Sequence, residues 1–477
     1  MERAVRLDEL MSFTASFPEP IVFNWQVLPE TFVKSGMQLG TFLSSEQEIL
    51  ITSHISGIIK NLPKNSHDIA PIVITECKHE TSFGEICTDC GEATKEMKKR
   101  SYRGLDDKIS YSKARAIKEE KKYIDDLYKS KKLMLVLDID NTLVHTCTGE
   151  CADPAIATEG ERFTDELGYT FIVKFRPLLS TFLDIVGRLF DVYLYSHGSQ
   201  RYAEAISKLI DPEQKTIKRS KVLGRETNSV ICKFKTLKNL LPTDQRISII
   251  VDDRIDVWKN KENVIRIYPY VYFNSEIISY DRTMYPTLTY RSQDCSLLYF
   301  SNLLRNLHSL FYDMQDKYDK IADIRTIIKT VRSHILHKIK VYFKTSSEFK
   351  TDEEQKIATS MGAVIISSIE DHTIILVNQH ENDIIQKEKS KGLRMVDINW
   401  LILSDRYWWK LPLEYFEVSK ENPIIKLNEV ELANQMQKNL KDNTYWKYDY
   451  YNDILQDIID SFTIENDVGY KRKKFNE

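Results

Sequence analysis

Glycine and proline are scarce in this chain, 15 and 13 of 477 residues, which excludes collagen-like and proline-rich architectures and leaves little room for long flexible linkers. No stretch approaches the roughly 20 uninterrupted apolar residues that a membrane-crossing helix needs. The opening MERAVRLDEL also lacks the apolar block of a secretory signal, so a soluble, intracellular protein with no membrane role is expected. Positive charge is not in excess: Lys and Arg total 67 against 70 Asp and Glu, a net charge of -3. That balance excludes a protein that coats nucleic acid through bulk charge, and no direct nucleic-acid binding is expected. Cysteines are few and odd in number, seven in all, which argues against a disulfide scaffold and for a reducing compartment where thiols stay free or bind metal. What remains is ordinary packed-domain composition, 42% hydrophobic and 29% charged, in a chain long enough for about three domains of roughly 150 residues.

Residues 1–75 mix short apolar runs (Ile21 to Phe23, Phe32 and Val33, Ile72 to Ile74) with turn residues, which predicts a small β-rich region. Four candidate metal ligands follow within 76–94, and residues 95–132 form a highly charged stretch of helical composition, read as a connector. From Leu133 the texture becomes apolar strand-like runs separated by helical patterns: LMLVL, FIVKF, VYLYS and ISIIV. Such alternation predicts an α/β domain with a largely parallel sheet over 133–285. Residues 286–335 repeat apolar positions every three or four residues, as a helical connector would. A second, smaller α/β pattern occupies 336–420, and 421–477 is a polar tail with one acidic amphipathic run and a basic cluster.

The segment LMLVLDIDNTLV carries the clearest chemistry. Its apolar residues deliver Asp138 and Asp140 to the C-terminal end of a buried strand, where open α/β sheets place their ligands. Two acids so close repel unless a proton or cation offsets them, and Mg2+ is the natural partner of carboxylates and phosphate. DVYLYS ends on Ser196 and ISIIVDD on Asp252 and Asp253, so four acids and a hydroxyl are expected on one rim. Lys235 stands at the start of the stretch KTLKNLL, with Lys233 and Lys238 close by; it is the favoured source of a fixed positive charge for a phosphoryl group. His145 and His197 flank these motifs and are read as structural, because carboxylates already fill the acid-base role.

DIDNT resembles the DxDxT signature of the aspartate-nucleophile phosphatases of the haloacid dehalogenase superfamily. FRP at 175–177, YSHGSQRYA at 195–203, KTLKNLLP at 235–242 and VDDRIDVW at 251–258 are similar to the FCP branch, phosphatases of the RNA polymerase II C-terminal domain. The resemblance implies a Mg2+-dependent protein serine phosphatase of the nucleus that acts on phosphorylated heptad repeats and recycles the polymerase. It implies that Asp138 is the nucleophile and Asp140 the acid and then base. Thr142 and Ser196 would hydrogen-bond phosphate oxygens and Lys235 would offset charge, while Asp138, Asp140 through its carbonyl, Asp252 and Asp253 would hold Mg2+. Ser196 stands where that branch usually has threonine, a hydroxyl of equal use. The competing readings are a phosphopeptide-binding scaffold with a vestigial site, and a phosphatase of the same superfamily acting on another substrate.

Cys77, His79, Cys87 and Cys90 in CKHETSFGEICTDC suit tetrahedral Zn2+, with free thiols as the alternative; the FCP family has a similar segment before its catalytic domain. IKVYF, MGAVIIS, TIILV and VDINWLILSDRYWWKLPLEYF resemble a BRCT module with Trp400 as its core anchor and Gly362 at a tight turn. The hydroxyl run Thr345 to Ser347 sits where such modules bind phosphate, but with Lys344 in place of the adjoining glycine a docking role is preferred. Tyr451, Ile454, Leu455, Ile458, Ile459 and Phe462 fall at helical spacing among acids. This helix either docks on a partner, a general transcription factor in the FCP family, or packs back on its own chain. KRKK at 471–474 is read as a nuclear localisation signal.

Overall fold

Leu133–Leu137 is apolar at every position, and all five residues are fully buried, as a strand covered on both faces requires. In the computed structural model it is β1. The chain continues through β2 (Val144–Thr148), β3 (Glu161–Thr164), β4 (Thr170–Phe175), α1 (Leu179–Leu189), β5 (Phe190–Ser199), α2 (Gln200–Ile210), β6 (Val222–Arg225), β7 (Ser248–Asp252) and β8 (Val264–Arg266). The main sheet has the order β6-β5-β1-β7-β8, and every pairing in it is parallel. The chain leaves β1 toward β5 and β6, then returns to its other side with β7 and β8. This reversal opens a crevice beyond the carboxyl end of β1. A small antiparallel sheet, β2-β4-β3, stands next to it.

The structure describes most of residues 4–418, together with 451–458. The longer stretches outside the description are 68–72, 94–101, 104–108, 149–159, 226–233, 274–293, 346–350, 379–384, 386–393, 419–450 and 459–477. Ser346 and Ser347, Ile459 and Phe462, and the basic cluster at 471–474 therefore lie outside it. Among the described residues no helix is long and apolar enough to cross a membrane.

Two compact units make up the chain, Met1–Tyr123 with Lys238–Thr243, and Ile124–Leu237 with Asp244–Glu477. The first is β-rich. Gln38–Ser44 and Gln47–Thr52 form its longest pairing, and Leu10, Val33, Leu39, Phe42, Ile51 and Ile59 fill its core. The all-helical connector expected over 95–132 is not found. Tyr102–Arg103 and Ile109–Tyr111 pair antiparallel, and the latter adds to Thr81–Phe83; the helix is confined to Lys113–Lys129. Strands so short, set among charged residues, leave no alternation to read.

In the second unit, α1 buries Leu179, Phe182, Leu183, Ile185 and Val186 beneath the main sheet. The segment expected to be a connector is core: α3 (Ser296–Tyr318) and α4 (Ile324–His334) pack together, and α3 also packs on α1. Leu297, Leu298, Phe300, Leu303, Leu304, Leu307, Leu310 and Phe311 of α3 are all essentially solvent-free. A helix apolar on most of its circumference belongs inside a domain, not between domains.

A separate sheet follows, built from β9 (Lys340–Phe343), α5 (Asp352–Ser360), β10 (Val364–Ile365), β11 (Ile374–Val377), β12 (Met395–Asp397) and α6 (Asn399–Tyr407). Its order is β10-β9-β11-β12 and it is wholly parallel. Gly362 (φ +87°) ends α5; a Cβ there would lie 1.9 Å from the Ser333 carbonyl, so only glycine fits. Trp400 is fully buried and donates to the Leu411 carbonyl at 2.8 Å. Of the two readings of the tail, the described part packs back. Residues 451–458 are helical (α7) with Tyr451, Ile454, Leu455 and Ile458 buried. Tyr451 donates to Asp313 of α3 at 2.8 Å, and Asp457 lies 3.2 Å from His334 of α4.

Candidate active site

The turn after β1 is fixed before any side chain is considered. Asn141 takes a left-handed conformation (φ +57°), which asparagine tolerates, and its N–H bonds to the Val144 carbonyl at 2.8 Å. Its side chain donates to the Tyr270 carbonyl at 3.1 Å while Tyr270 N–H returns to the Asn141 carbonyl at 2.7 Å. Ile139 is buried between the two acids, so Asp138 and Asp140 both project into the crevice. From the neighbouring strand, β7 ends on Asp252 with Asp253 next, and Asp138 N–H bonds to the Val251 carbonyl at 3.0 Å.

Asp138, Asp252 and Asp253 are buried, and each offers a carboxylate oxygen within 4.8 Å of the others. Lys235 is 3% exposed and donates from Nζ to Asp138 Oδ1 at 2.5 Å and Asp252 Oδ2 at 2.8 Å. Lys238 is exposed and Lys233 lies outside the described residues. Asp252 is fully engaged: Oδ2 also accepts from Trp258 Nε1 at 2.7 Å, and Oδ1 accepts from Arg254 N–H at 2.8 Å. Asp140 accepts from Ser196 Oγ at 3.3 Å and from Tyr202 Oη, which also lies 2.8 Å from Thr146 Oγ1. Ser196 Oγ in turn accepts from Gly198 N–H at 2.9 Å.

Burial pushes the Asp138 carboxyl well above the usual range; Lys235 opposes this, and Asp252, Asp253 and Asp140 add to it. Asp253 is pushed up to about 7, by burial first and the charge of Asp252 second. Burial also raises Asp140, against the Tyr202 and Ser196 hydrogen bonds. For Lys235 burial acts downward, but the Asp138 and Asp252 charges outweigh it and keep the amine protonated. Crowded buried carboxylates facing a single buried ammonium among the described residues form an oxygen-donor set that fits a divalent cation such as Mg2+.

Residues 133–315 match the family model of the NLI interacting factor-like phosphatases. This stretch is similar to the NLI interacting factor-like phosphatases. Among curated relatives, the chain is 22% identical to the RNA polymerase II C-terminal domain phosphatase of Caenorhabditis elegans, over 73% of this chain and 57% of that one. It is 27% identical to the RNA polymerase II C-terminal domain phosphatase-like 4 of Arabidopsis thaliana, over 72% of this chain and 82% of that one. With the RNA polymerase II C-terminal domain phosphatase of Encephalitozoon cuniculi it shares 35% identity, over 42% of this chain and 47% of that one. The chain thus spans little more than half of the nematode protein.

The matched stretch extends past 285, through most of α3, in keeping with the burial of that helix. Thr142 lies on the turn that carries the two acids. It is fully buried, and its Oγ1 accepts from Asp253 N–H at 3.2 Å, tying together the turns that carry Asp138 and Asp253. His145 is structural, its Nδ1 accepting from the N–H groups of Tyr272 and Phe273 at 3.1 Å each. Sequence reasoning assigned no role to Tyr202, Trp258 or Arg176. Tyr202 had a local signal: Ser199 caps α2 by accepting from Tyr202 N–H, and a third-position helix side chain leans back over the preceding strand end. The other predicted metal set, Cys77, His79, Cys87 and Cys90, also comes together, within the first unit.

Proposed function

We propose that the chain is a Mg2+-dependent protein serine phosphatase that removes phosphate from the heptad repeats of the largest RNA polymerase II subunit, in the nucleus, and so recycles the polymerase. The observation that carries the reading is the convergence of Asp138, Asp140, Lys235, Asp252 and Asp253 at the carboxyl edge of one parallel sheet. The names of the relatives favour the substrate.

Asp138 and Asp253, with the Asp140 backbone carbonyl, would hold Mg2+; Asp252, whose oxygens already accept from Lys235, Trp258 and Arg254, positions the lysine instead. Bound there, the cation would offset the charge of carboxylates and phosphate brought together. A carboxylate oxygen of Asp138 attacks phosphorus, the bond from phosphorus to the seryl oxygen breaks, and Asp140 gives its proton to that oxygen. Asp140 then takes a proton from water as the water attacks phosphorus. The bond to Asp138 breaks, inorganic phosphate leaves, and both aspartates return to their starting forms. Lys235 supplies fixed positive charge throughout, and the hydroxyl of Ser196, beside Asp140, is placed to meet a phosphate oxygen.

The parallel sheet ordered β10-β9-β11-β12, the glycine-only turn at Gly362 and the buried Trp400 support a BRCT reading of the C-terminal module, in a docking role. The helix at 451–458 has its apolar face covered by its own chain, so contact with a transcription factor would fall to its acidic edge, Asp453 and Asp457.

The test is Mg2+-dependent phosphate release from singly phosphorylated heptad peptides beside a generic aryl phosphate. Preference for the peptides supports the reading and identifies the serine. Turnover of the aryl phosphate alone would assign another substrate, and inactivity on both would favour a scaffold.

A further inference from the structure

We propose that Cys77, Cys87, Cys90 and the Nδ1 nitrogen of His79 bind one structural Zn2+, with the Glu92 carboxylate facing the other ring nitrogen of His79. The four ligand atoms lie within 4.8 Å of one another. A tetrahedral zinc with Zn–S near 2.3 Å and Zn–N near 2.0–2.1 Å separates its ligand atoms by roughly 3.4–3.8 Å. Cys77 and Cys87 sulfurs are 3.7 Å apart, and Cys90 Sγ is 3.1 Å from His79 Nδ1. A disulfide needs about 2.05 Å, so the sulfur pair is spaced for a shared ion and not for a bond.

Backbone N–H groups aimed at the sulfurs are suited to thiolate ligands. Each cysteine sulfur accepts an N–H from two residues further on: His79 to Cys77 at 3.5 Å, Asp89 to Cys87 at 3.4 Å and Glu92 to Cys90 at 3.5 Å. His79 itself sits at φ +48°, a conformation that costs a non-glycine residue energy and turns its ring toward Cys90. Its Nε2 faces Glu92 Oε2 at 3.8 Å, and the other Glu92 oxygen accepts from Ser56 Oγ. A carboxylate behind the far nitrogen fixes the tautomer that leaves Nδ1 free to ligate. Ser56 also accepts Cys77 N–H through its carbonyl at 3.1 Å, so the cluster is tied to Gly57–Asn61, the strand that follows Ser56.

The segment has little apolar cover of its own. Phe83 and Ile86, on the two strands of the hairpin, are 53% and 55% exposed, while Cys87 and Cys90 beneath are buried. A hairpin that buries its thiols and exposes its large apolar groups depends on a metal for its stability. With four protein ligands the coordination sphere is closed, which makes the zinc structural and not catalytic.

The full chain, purified without chelators, is assayed for zinc, then stripped and titrated with Co2+. One zinc per chain and an intense thiolate-to-cobalt charge-transfer band are expected; an Mg2+ site of carboxylates cannot give that band. Asp253→Asn keeps the band, Cys90→Ser loses it, and Glu92→Gln keeps the stoichiometry but binds about 10–100-fold more weakly in competition with a chelator. Absence of zinc together with absence of the band in the unmutated chain overturns the proposal, a result that stands even if Cys90→Ser does not fold. Unchanged affinity in Glu92→Gln overturns the part assigned to Glu92.

Discussion

Arg176→Met removes the residue that holds the catalytic turn to the rest of the second unit. The guanidinium is 1% exposed. It donates to Asp294 through Nε (3.2 Å) and Nη2 (3.0 Å), to the Thr142 carbonyl through Nη1 (3.0 Å) and to the Tyr268 carbonyl through Nη2 (3.0 Å). Asp294 is shared with Arg406 of α6 at 3.1 Å and accepts Ser296 N–H at 2.9 Å. Methionine fills similar volume but supplies no donor. Removing one partner from a buried ion pair costs about 3–5 kcal/mol, because the remaining charge stays buried with less to offset it. Arg406 retains part of that compensation, which places the expected loss near the lower end, about 3 kcal/mol. For a domain of this size each kcal/mol is worth roughly 2–4 °C, so the thermal midpoint should fall on the order of 10 °C. Followed by near-ultraviolet circular dichroism, the Arg176→Met/Asp294→Asn double variant should lose less than the sum of the single variants. Phosphatase turnover should fall as well, since the Thr142 carbonyl lies two residues from Asp140. A midpoint within about 2 °C of wild type, or strict additivity of the two changes, would refute the clamp.

Lys235→Ala should reduce turnover by roughly 10²–10³ at saturating Mg2+, as for other preorganised charges, whereas exposed Lys238→Ala should leave it unchanged; the reverse pattern would move the role to the wrong lysine. Tyr202→Phe removes a donor from Asp140, worth about 1.5–3 kcal/mol if the acceptor is charged, and should lower kcat roughly 10–100-fold with KM little altered. A purely structural tyrosine would instead shift the melting temperature and leave kcat intact. Asp294 is subject to burial, which acts upward, but Arg176 and Arg406 more than reverse it and hold the carboxyl below its ordinary 3.8. Its contribution to stability is therefore present above that value and lost as pH falls below it, so acid titration of unfolding should be shallower in Arg176→Met than in wild type.

What was legible in the sequence was whatever local pattern encodes. Leu133–Leu137 announces a buried strand because it is apolar without alternation, and the acids immediately after it mark the crevice end. The same logic reads Ser196 from β5 and Asp252 and Asp253 from β7. Lys235 was chosen from spacing, and the fold brings it to Asp138, a residue 97 positions away. The rest depended on partners that no window contains. Arg176 meets Asp294 across 118 residues, and Asp294 meets Arg406 across 112. The indole N–H of buried Trp258 donates to Asp252, a contact that its local sequence does not announce. The bond from Asp253 N–H to Thr142 Oγ1 joins turns that lie 111 residues apart in the sequence. In α3 the helical periodicity is visible in the sequence, but what distinguishes core from connector is how far the apolar residues wrap around the helix.

The central claim is that Asp138 becomes covalently phosphorylated during turnover. Rapid acid quench of the enzyme with a phosphorylated heptad peptide and Mg2+, followed by peptide mapping, measures this directly. Phosphate bound to the peptide containing Asp138, labile to hydroxylamine and absent in folded Asp138→Asn, is the predicted result. Undiminished phosphate release by Asp138→Asn would contradict it.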